Sequence, residues 1–489
     1  MDIANLPFRP VIKPWIIKTL LLMLLFMQNF VFGITSYIIP HFSKDYSISA
    51  DIIIWSVQIN AIVLVVMIPV FYRLRLYFKP ADLIESAIII EATLCLLCYW
   101  LRYAAFLLMA NLLLAICKAV CLLDFISLLS AAYPAMKHRA LFYGLLYTIT
   151  KVGGSIAEVV TLPIIHLHWP QLYLVSVIAA VISLGTCMLI FHNKRLQPKV
   201  SLKKIDWTSI GLLFSACMCF TFICSFGKRL HGFDSILIIS AALTCVLFTS
   251  IFVWRQLVVQ KPLWNLRVFK AHRQVPLAFL FMILMYIFYG CNNVFNRFAA
   301  YELAGTPRQY LLLGWVTVLA YLLVFPGTGI LLYKGCSKRI TLSVGFFCYA
   351  CACWLIHLTP GVYSGLTYLI VAYFIKGAGY GLLLTTLSTF MATNINKAFN
   401  KDRLMASIIS RYVIGTAIFS SLYNSWTANL SFLNKSILSK IPAIEVTLLA
   451  TTQILGVIAL VGLCAALIVI FIKRFDTKEK KAGDNYQII

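Results

Sequence analysis

The chain has 489 residues, of which 62% are hydrophobic and 12% are charged. Soluble domains carry about 25% charged residues, so this composition excludes an ordinary soluble protein and predicts a chain whose solvent is lipid. The formal net charge is +25, but the basic residues lie in short segments between apolar blocks, which argues against a nucleic-acid-binding face.

Fourteen apolar blocks follow one another along the chain, each long enough to cross about 30 Å of hydrocarbon. The start, MDIANLPFRPVIKPW, lacks the ordered charged, apolar and small-residue regions of a cleaved signal peptide, so we expect the first block to remain as a span. No connector is long enough for a soluble catalytic domain. The sequence therefore predicts an all-α polytopic membrane protein with spans at residues 15–39, 52–72, 82–101, 104–132, 141–166, 171–192, 207–227, 235–254, 275–296, 309–333, 340–358, 364–391, 404–426 and 447–472.

Basic residues are unevenly shared between the connectors. Connectors that follow even-numbered spans hold 21 Lys and Arg residues, whereas those that follow odd-numbered spans hold eight. Cytoplasmic connectors of membrane proteins carry the excess of Lys and Arg. The pattern, together with the even number of spans, predicts that both termini lie in the cytoplasm.

Spans 3 to 5 contain charged residues in their interiors, where burial in lipid is costly. A rise of 1.5 Å per residue places Glu91, Asp124 and Lys151 roughly 12–15 Å from the cytoplasmic ends of their helices, with Lys118 at roughly 20 Å and Glu158 at roughly 25 Å. Opposite charges at matched depth offset the cost of burial. We therefore expect Lys151 to pair with Asp124, and Lys118 to lie near Glu158. Static ion pairs that lock the helices and a role in transport both explain these charges.

The second half carries a different set of polar residues. Span 9 reads FYGCNNVFNRF, and its Asn292, Asn293 and Asn296 offer amide donors and acceptors. Lys376 and Arg411 are the charges inside spans 12 and 13, and no acid in those spans balances them. The asparagines could contact a substrate, or could equally form hydrogen bonds between helices.

Two connectors have related sequences. MIPVFYRLRLYFKPA follows span 2 and VFPGTGILLYKGCSKR follows span 10, each with a proline in the helix and a basic cluster after it. They occupy the same place in two six-helix halves once spans 7 and 8 are set aside, which is typical of secondary transporters. This predicts a half at 1–192, a linker with two extra spans at 193–274, a second half at 275–473, a tail at 474–489, and gating contributions from Arg73, Lys338 and Arg339.

The sequence around the two extra spans resembles the major facilitator superfamily, specifically its fourteen-span drug:proton antiporter-like branch (EmrB/QacA type). The resemblance rests mainly on Asp206-Trp207 before span 7, on Gly232-Phe233-Asp234 before span 8, and on KPLWNLRVFKAHR after it. Weaker matches are Pro134, Arg139 and Gly144 in YPAMKHRALFYG, the glycines of FIKGAGYGLLL, and Arg411 in SIISRYVIGTAIF.

The sequence departs from the pattern of this branch at several motif positions. Val31 stands where the branch usually has an acid in span 1, and Asn111 where it has an arginine in span 4. Ile156-Ala157 replaces the Gly-Pro motif of span 5, and Tyr72 and Leu76 replace the Gly and Asp of the connector after span 2. The resemblance therefore implies the fold more firmly than it implies drug efflux.

The resemblance implies that spans 1, 2, 4 and 5 face spans 9, 10, 12 and 13 across a central cavity. Proton-coupling candidates are then Asp124, Glu158 and Glu91, of which Glu91 on the peripheral span 3 has the stronger structural explanation. Substrate-cavity candidates are Lys118, Lys151, Asn292, Asn293, Asn296, Lys376 and Arg411. A carboxylate in such a cavity can carry a proton, because desolvation favours its neutral form while a nearby Lys favours the charged form.

These residues and the resemblance together predict a secondary transporter that exports a small amphipathic compound in exchange for protons. The expected setting is the bacterial inner membrane, with a periplasmic adaptor as an optional partner and no nucleic acid. The alternative is a membrane scaffold or receptor that keeps the fold and no longer transports. No enzyme motif is found, and fifteen cysteines without His partners at metal spacing predict neither a metal nor another cofactor.

Overall fold

The computed structural model describes residues 7–45, 50–133, 139–192, 205–303, 307–358, 366–393, 395, 399–423, 425–426 and 443–476. Within these residues every regular element is helical, apart from one isolated β-bridge between Phe8 and Phe191. The helices are α1 Pro14–Asp45, α2 Ala50–Tyr77, α3 Pro80–Trp100, α4 Ala104–Ala132, α5 Arg139–His168, α6 Gln171–Ile190, α7 Trp207–Phe226, α8 Ile236–Val258, α9 Arg267–Ala271, α10 Gln274–Gly290, α11 Asn292–Glu302, α12 Pro307–Tyr333, α13 Lys338–His357, α14 Leu366–Ala392, α15 Asn400–Ile408 and α16 Ala443–Phe471.

The predicted spans correspond to helices throughout the described residues. Thirteen helical spans among the described residues are long and apolar enough to cross a membrane. Two of them extend beyond the bounds given above: Gln274–Asn296 runs from α10 into α11, and Asn400–Tyr423 continues beyond α15. The one predicted span that does not meet this criterion is the third along the chain. It corresponds to α3. Its 21 residues reach about 31 Å, but it carries three acids, Asp82, Glu85 and Glu91. The prediction of an all-α polytopic membrane protein is confirmed.

Successive long helices run in opposite directions, so the bundle has two ends. We call the end where the chain enters α1 and leaves α16 the terminal end, and the other end the far end. At the terminal end Arg9 Nη2 donates to Met188 O (2.8 Å), and Arg339 Nη1 donates to Ile470 O (3.1 Å). The predicted membrane orientation of these two ends stays a prediction.

The long helices form two groups with a shared boundary. In the N-half, defined as α1–α6, α1 packs on α4, α5 and α6, and α3 packs on α4 and α6. In the C-half, defined as α10–α16, α13 packs on α14 and α16, and α12 packs on α14. The boundary is made largely by α5, which lies against α12 and α14.

Glycines allow α5 and α12 to approach closely at the terminal end. A Cβ on Gly144 would lie 3.0 Å from Phe325 O and 3.2 Å from the Cα of Gly329. A Cβ on Gly329 would lie 3.0 Å from Ala140 O. Both close contacts are to backbone atoms, which cannot rotate away as a side chain can. This crossing therefore requires glycine on both helices.

The inserted pair α7 and α8 attaches to the N-half through α2. The Trp55 ring lies 5.9 Å from the rings of both Phe222 and Phe226, centroid to centroid. Gln58 accepts a hydrogen bond from Ser225 Oγ (3.1 Å) and donates one to Ser420 Oγ of the C-half (3.1 Å). The inserted pair is thus held beside α2, where α2 meets the C-half.

The sequence motifs of the inserted pair have clear structural roles. Asp206 is the N-cap of α7: it accepts a hydrogen bond from the Ser209 backbone N–H (3.2 Å) and pairs with Arg255 of α8 (2.9 Å). The segment KPLWNLRVFKAHR joins α8 to the start of α15, because Trp264 Nε1 donates to Asp402 O (3.0 Å) and the Asn265 N–H donates to Asp402 Oδ1 (2.7 Å). Pro134, from the weaker motif, lies outside the described residues.

Asp206 should contribute to stability in two separable ways. Partial burial raises the pKa of this carboxyl, but hydrogen bonds from Arg255 and Ser209 outweigh that effect and leave its pKa below the usual value. The stabilisation by its charge is therefore fully present above the ordinary pKa of the unfolded state and is lost as the pH falls through the lower pKa of the folded state. Asp206→Asn, which keeps the capping oxygen, should lower the unfolding temperature in detergent at neutral pH, and by less in strong acid. Asp206→Ala should cost about 1 kcal/mol more, and equal losses in both variants would contradict the capping role.

Candidate functional site

Seven charged side chains lie deep in the bundle, at least eight residues from either end of their helix. Three are acidic and four are basic. All come from the described helices: Glu91 of α3, Lys118 and Asp124 of α4, Lys151 and Glu158 of α5, Lys376 of α14, and Arg411 in the continuation of α15. Every one was a candidate from the sequence, and their neighbours separate them into different roles.

Glu158 connects the two halves. Its Oε1 accepts a hydrogen bond from Asn296 Nδ2 of α11 (3.3 Å), and the Tyr37 hydroxyl of α1 is hydrogen-bonded to the same carboxylate. Lys376 of α14 is close enough to interact with it electrostatically. Tyr373 donates to Asn296 Oδ1 (3.0 Å), which fixes the orientation of the amide. A single carboxylate of the N-half therefore has both an amide donor and a cation from the C-half.

Lys376 is held against aromatic rings. Its Nζ lies 4.0 Å from the centroid of the Tyr373 ring and 4.7 Å from that of Phe295. Only 3% of the residue is exposed. Cation–π contacts of this kind stabilise a desolvated ammonium by about 2 kcal/mol, so these rings hold the Lys376 ammonium beside Glu158.

Glu91 and Lys118 form a second cluster, which lies wholly inside the N-half. Glu91 Oε2 accepts a hydrogen bond from Gln28 Nε2 (2.8 Å), and Lys118 interacts electrostatically with Glu91. Lys118 also donates to Thr35 Oγ1. The expected proximity of Lys118 and Glu158 is therefore wrong: Lys118 is matched with Glu91, and Glu158 with Lys376. The Glu91 cluster joins α1, α3 and α4.

Asp124 has a different partner from the one predicted. Its Oδ1 lies 3.7 Å from Arg75 Nε of α2, and Arg75 also donates to Ser127 Oγ. Asp124 is fully buried, and neither of its carboxylate oxygens has a hydrogen bond. The predicted pair between Lys151 and Asp124 is wrong, because Lys151 points away from α4 towards the C-half. Asp124 instead ties α4 to α2 near the terminal end.

Lys151 faces a group of tyrosines from the C-half. Its Nζ lies 5.1 Å from the centroid of the Tyr289 ring and 5.1 Å from that of Tyr380. These two rings are stacked, with centroids 4.6 Å apart. Tyr412 is also close enough to interact with Lys151 electrostatically. Among the described residues Lys151 has neither an acidic partner nor a hydrogen bond.

Arg411 enters the same region from the opposite side. Its helix continues beyond α15 as a π-helical turn, Ile409–Gly415, and then to Tyr423. The Nε of Arg411 donates to Ser407 O (2.9 Å) and its Nη1 donates to Tyr147 OH of the N-half (3.3 Å). Its guanidinium lies 5.3 Å from the centroid of the Tyr412 ring. π-Helical turns are found frequently at functional sites.

We define the tyrosine chamber as the region around Lys151 and Arg411 that is bounded by rings of both halves. The Tyr286 and Tyr380 hydroxyls are 3.2 Å apart, and Tyr286 packs edge-on against Tyr412 with centroids 5.2 Å apart. The chamber consists of Lys151, Arg411, Tyr147, Tyr286, Tyr289, Tyr321, Tyr380 and Tyr412. Sequence analysis identified the two cations and missed the tyrosines, which are scattered over five helices and have no common spacing.

The remaining candidates lie outside the two central groups. Asn292 Oδ1 is buried without a hydrogen-bond partner, and the side chain of Asn293 lies outside the described residues. Lys338 donates to Thr393 Oγ1 (3.1 Å) and Arg339 to the end of α16, so both hold α13 to its neighbours in the C-half. Arg73 of α2 lies near Lys401 at the start of α15, so this predicted gating residue faces the other half.

The two halves touch on both sides of the tyrosine chamber. Towards the terminal end, Arg403 Nη1 donates to Tyr143 OH (2.8 Å), and Tyr147 OH is 2.7 Å from Ser388 Oγ. Towards the far end are the hydrogen bonds of Glu158 with Asn296 and of Gln58 with Ser420. The charged chamber is therefore enclosed at both ends in this conformation.

A family model and several solved structures match this chain. The sequence profile described as Major Facilitator Superfamily matches residues 21–422. No curated protein sequence matches the chain. Three solved structures with the same fold are a POT family transporter in complex with a thioalcohol-conjugated peptide (TM-score 0.62, 19% identity, 92% of this chain and 96% of that one), peptide transporter POT in complex with alafosfalin (0.65, 13%, 95% and 97%), and the human organic anion transporter (0.55, 11%, 94% and 100%). At these identities the likeness shows the fold alone.

Proposed function

Because this chain belongs to the Major Facilitator Superfamily, we propose that it transports a small amphipathic compound by alternating access and couples this movement to protons through Glu158. That it is an integral membrane transporter and not an enzyme follows from the family. The coupling ion, the substrate and the direction are the proposed part.

The contact between Glu158 and the C-half carries the proposal. An ionised Glu158 accepts hydrogen bonds from Tyr37 and Asn296 and interacts with the Lys376 ammonium, so it favours the closed arrangement of the halves. A proton on the carboxylate removes its negative charge and with it the attraction to Lys376. The protonated form therefore releases the far-end contact, and the ionised form restores it. Loading of this one group links proton movement to opening.

The enclosed chamber supports alternating access. Contacts between the halves lie on both sides of it, so opening one set while the other persists would expose the chamber to one side only. Asp124 and Glu91 are poorer candidates for coupling, since their partners Arg75 and Lys118 belong to the N-half and need not separate when the halves move. We therefore assign the coupling to Glu158 alone.

Several finer features belong to the same proposal. Export, the drug:proton antiporter-like branch and the bacterial inner membrane are supported by the motifs of the inserted pair. Cytoplasmic termini are supported by the distribution of basic residues between connectors, and the domain boundaries at 192, 274 and 473 by the packing of the two halves around α5. Binding of a periplasmic adaptor can be tested by pull-down with the purified protein. The rival function, a scaffold that does not transport, makes no use of an ionisable Glu158.

The test uses purified protein in liposomes loaded with a pH-sensitive dye, to which terephthalate, tetraphenylphosphonium and dialanine are added separately. We expect at least one compound to move protons in the wild type. Glu158→Gln, which keeps the size of the side chain but cannot ionise, should remove the response to an imposed pH gradient and spare counterflow exchange. Glu91→Gln is the matched control, because it also removes a buried carboxylate, and it should keep the response.

Two results would overturn the coupling proposal. One is a Glu158→Gln protein that transports with the pH dependence of the wild type. The other is an infrared difference spectrum between acidic and neutral pH in which the protonated-carboxyl band does not change on Glu158→Gln substitution. If no compound moves in the wild type and that band is also unchanged, the scaffold function is favoured instead.

A further inference from the structure

The charges inside the bundle do not balance. All three deep acids have a cationic partner: Asp124 lies against Arg75, Glu91 near Lys118, and Glu158 near Lys376. Among the described residues, no acid lies against either of the other two deep cations, Lys151 and Arg411. Both point into the tyrosine chamber, one from each half.

The protein itself offsets only part of the cost of burying these two charges. Each buried ion loses its hydration, which is unfavourable unless a counter-charge or hydrogen bonds replace the water. The rings of Tyr289 and Tyr380 beside Lys151 offset a part of this cost through cation–π contacts. Arg411 uses its Nε and one Nη hydrogen in the two hydrogen bonds that it forms, out of five N–H donors. The remaining donors and the Lys151 ammonium are available to an incoming group.

We infer that the tyrosine chamber binds an organic anion with a flat aromatic body, and that its acidic groups contact Lys151 and Arg411. The inference rests on the proposed transport function and names the substrate class. A lipophilic cation would add a third positive charge to the chamber. A neutral compound would leave both cations without a counter-charge. An anion neutralises them, and the guanidinium can bind a carboxylate through two parallel N–H···O bonds.

The rings that line the chamber favour an aromatic substrate over an aliphatic one. Five tyrosines of the C-half and Tyr147 of the N-half surround the two cations. Aromatic pairs prefer centroid separations of roughly 4.5–7 Å and gain stability beyond the area that they bury. These tyrosines already pack in stacked and edge-on pairs at 4.6–5.2 Å. A planar ring would therefore bind against their faces and edges, or would replace one ring of a pair, because contacting rings leave no space between them. The Tyr hydroxyls add donors for carboxylate oxygens.

The binding test compares three small probes of similar length on the purified protein in detergent. Terephthalate is an aromatic dianion, trans-cyclohexane-1,4-dicarboxylate is an aliphatic dianion of the same span, and p-xylylenediamine is an aromatic dication. Titration calorimetry and the rise in unfolding temperature report binding. We expect terephthalate to bind at least tenfold more tightly than the aliphatic dianion, and the dication not to bind.

Variants then locate the site. Lys151→Met should weaken terephthalate binding by at least tenfold. Lys151→Arg keeps the positive charge and should recover most of the affinity, a recovery that is not expected if Lys151 has only a structural role. Arg411→Gln should act in the same way. If it fails to fold, Lys151→Met and Lys151→Arg still decide the matter. Lys334→Gln removes the same charge from an exposed position at the terminal end and should leave binding unchanged.

The outcomes separate this inference from the coupling proposal. Glu158→Gln should still bind terephthalate, since Glu158 belongs to the other group of residues. Tight terephthalate binding with no role for Glu158 in pH dependence would leave the substrate class intact and remove the coupling. Binding of the dication, equal binding of both dianions, or terephthalate binding unaffected by Lys151→Met would overturn the inference.

Discussion

Replacing Gly329 with leucine should abolish transport and strongly destabilise the protein, whereas the same replacement at Gly327, two residues away on α12, should do neither. A Cβ at Gly329 would lie 3.0 Å from the Ala140 carbonyl oxygen and 3.3 Å from the Cα of Gly144, both backbone atoms of α5. A Cβ at Gly327 has no atom within 4 Å. Overpacking costs about 1–3 kcal/mol where side chains can adjust, and here the backbones themselves must separate.

The pair of variants controls for helix propensity. Leucine favours helix over glycine by roughly 0.5–1 kcal/mol at either position, so Gly327→Leu should be neutral or slightly stabilising. Unfolding temperature in detergent and the yield of monodisperse protein give the stability, and the uptake experiment gives the activity. A Gly329→Leu protein that is as stable and as active as Gly327→Leu would show that α5 and α12 do not cross at this point.

The second large effect is expected at the pair of Arg75 and Asp124. Arg75→Met should lower stability by about 3–5 kcal/mol, because it leaves a fully buried carboxylate without its cation. Asp124→Leu should cost less, since Arg75 lies near the helix end and is 22% exposed, so it can reach water. The double change, Arg75→Met with Asp124→Leu, should be more stable than Arg75→Met alone.

A double-mutant cycle measures this coupling directly. Each protein is unfolded with increasing denaturant in mixed micelles, and the free energies of unfolding are compared. The cycle of Lys151→Met with Asp124→Leu serves as the control and should be additive, because Lys151 faces the tyrosines. Additive losses at Arg75 and Asp124, or strong coupling between Lys151 and Asp124, would contradict the assignment of partners.

The sequence predicted the helices well and the partners of the charges poorly, for a physical reason. Continuous apolar blocks determine where helices form in lipid, because every backbone group must be satisfied within the segment. The depth of a charge can be counted along a helix, but its direction around the helix axis cannot. Counting residues along the helices placed Lys118 nearest in depth to Glu158. In the structure its side chain instead lies near Glu91, inside the N-half. The side chains of Lys and Arg also span more than one helical turn.

The motifs of the inserted pair were informative because their roles are local. Asp206 caps the helix that starts one residue later, and Arg255 meets it on the adjoining helix. The tyrosine chamber is the opposite case. Tyr147, Tyr289 and Tyr380 are far apart in the chain and look like ordinary apolar packing in their own helices. Packing within the C-half brings the rings of Tyr289 and Tyr380 together, and the docking of the halves then places Lys151 against them.

The π-helical turn at Ile409–Gly415 affects which side chains of its helix face the chamber. A π turn contains one residue more than the α-helical path it replaces, and it changes the direction of the side chains beyond it. Here it lets consecutive residues, Arg411 and Tyr412, both reach the chamber. Loss of one residue from this turn would rotate the two segments of the helix relative to each other by about 100°, which would change the direction of side chains without any substitution. A relative that lacks this extra residue would need a one-residue gap to align with this chain, and a comparison made without that gap would match Arg411 and Tyr412 to the wrong positions.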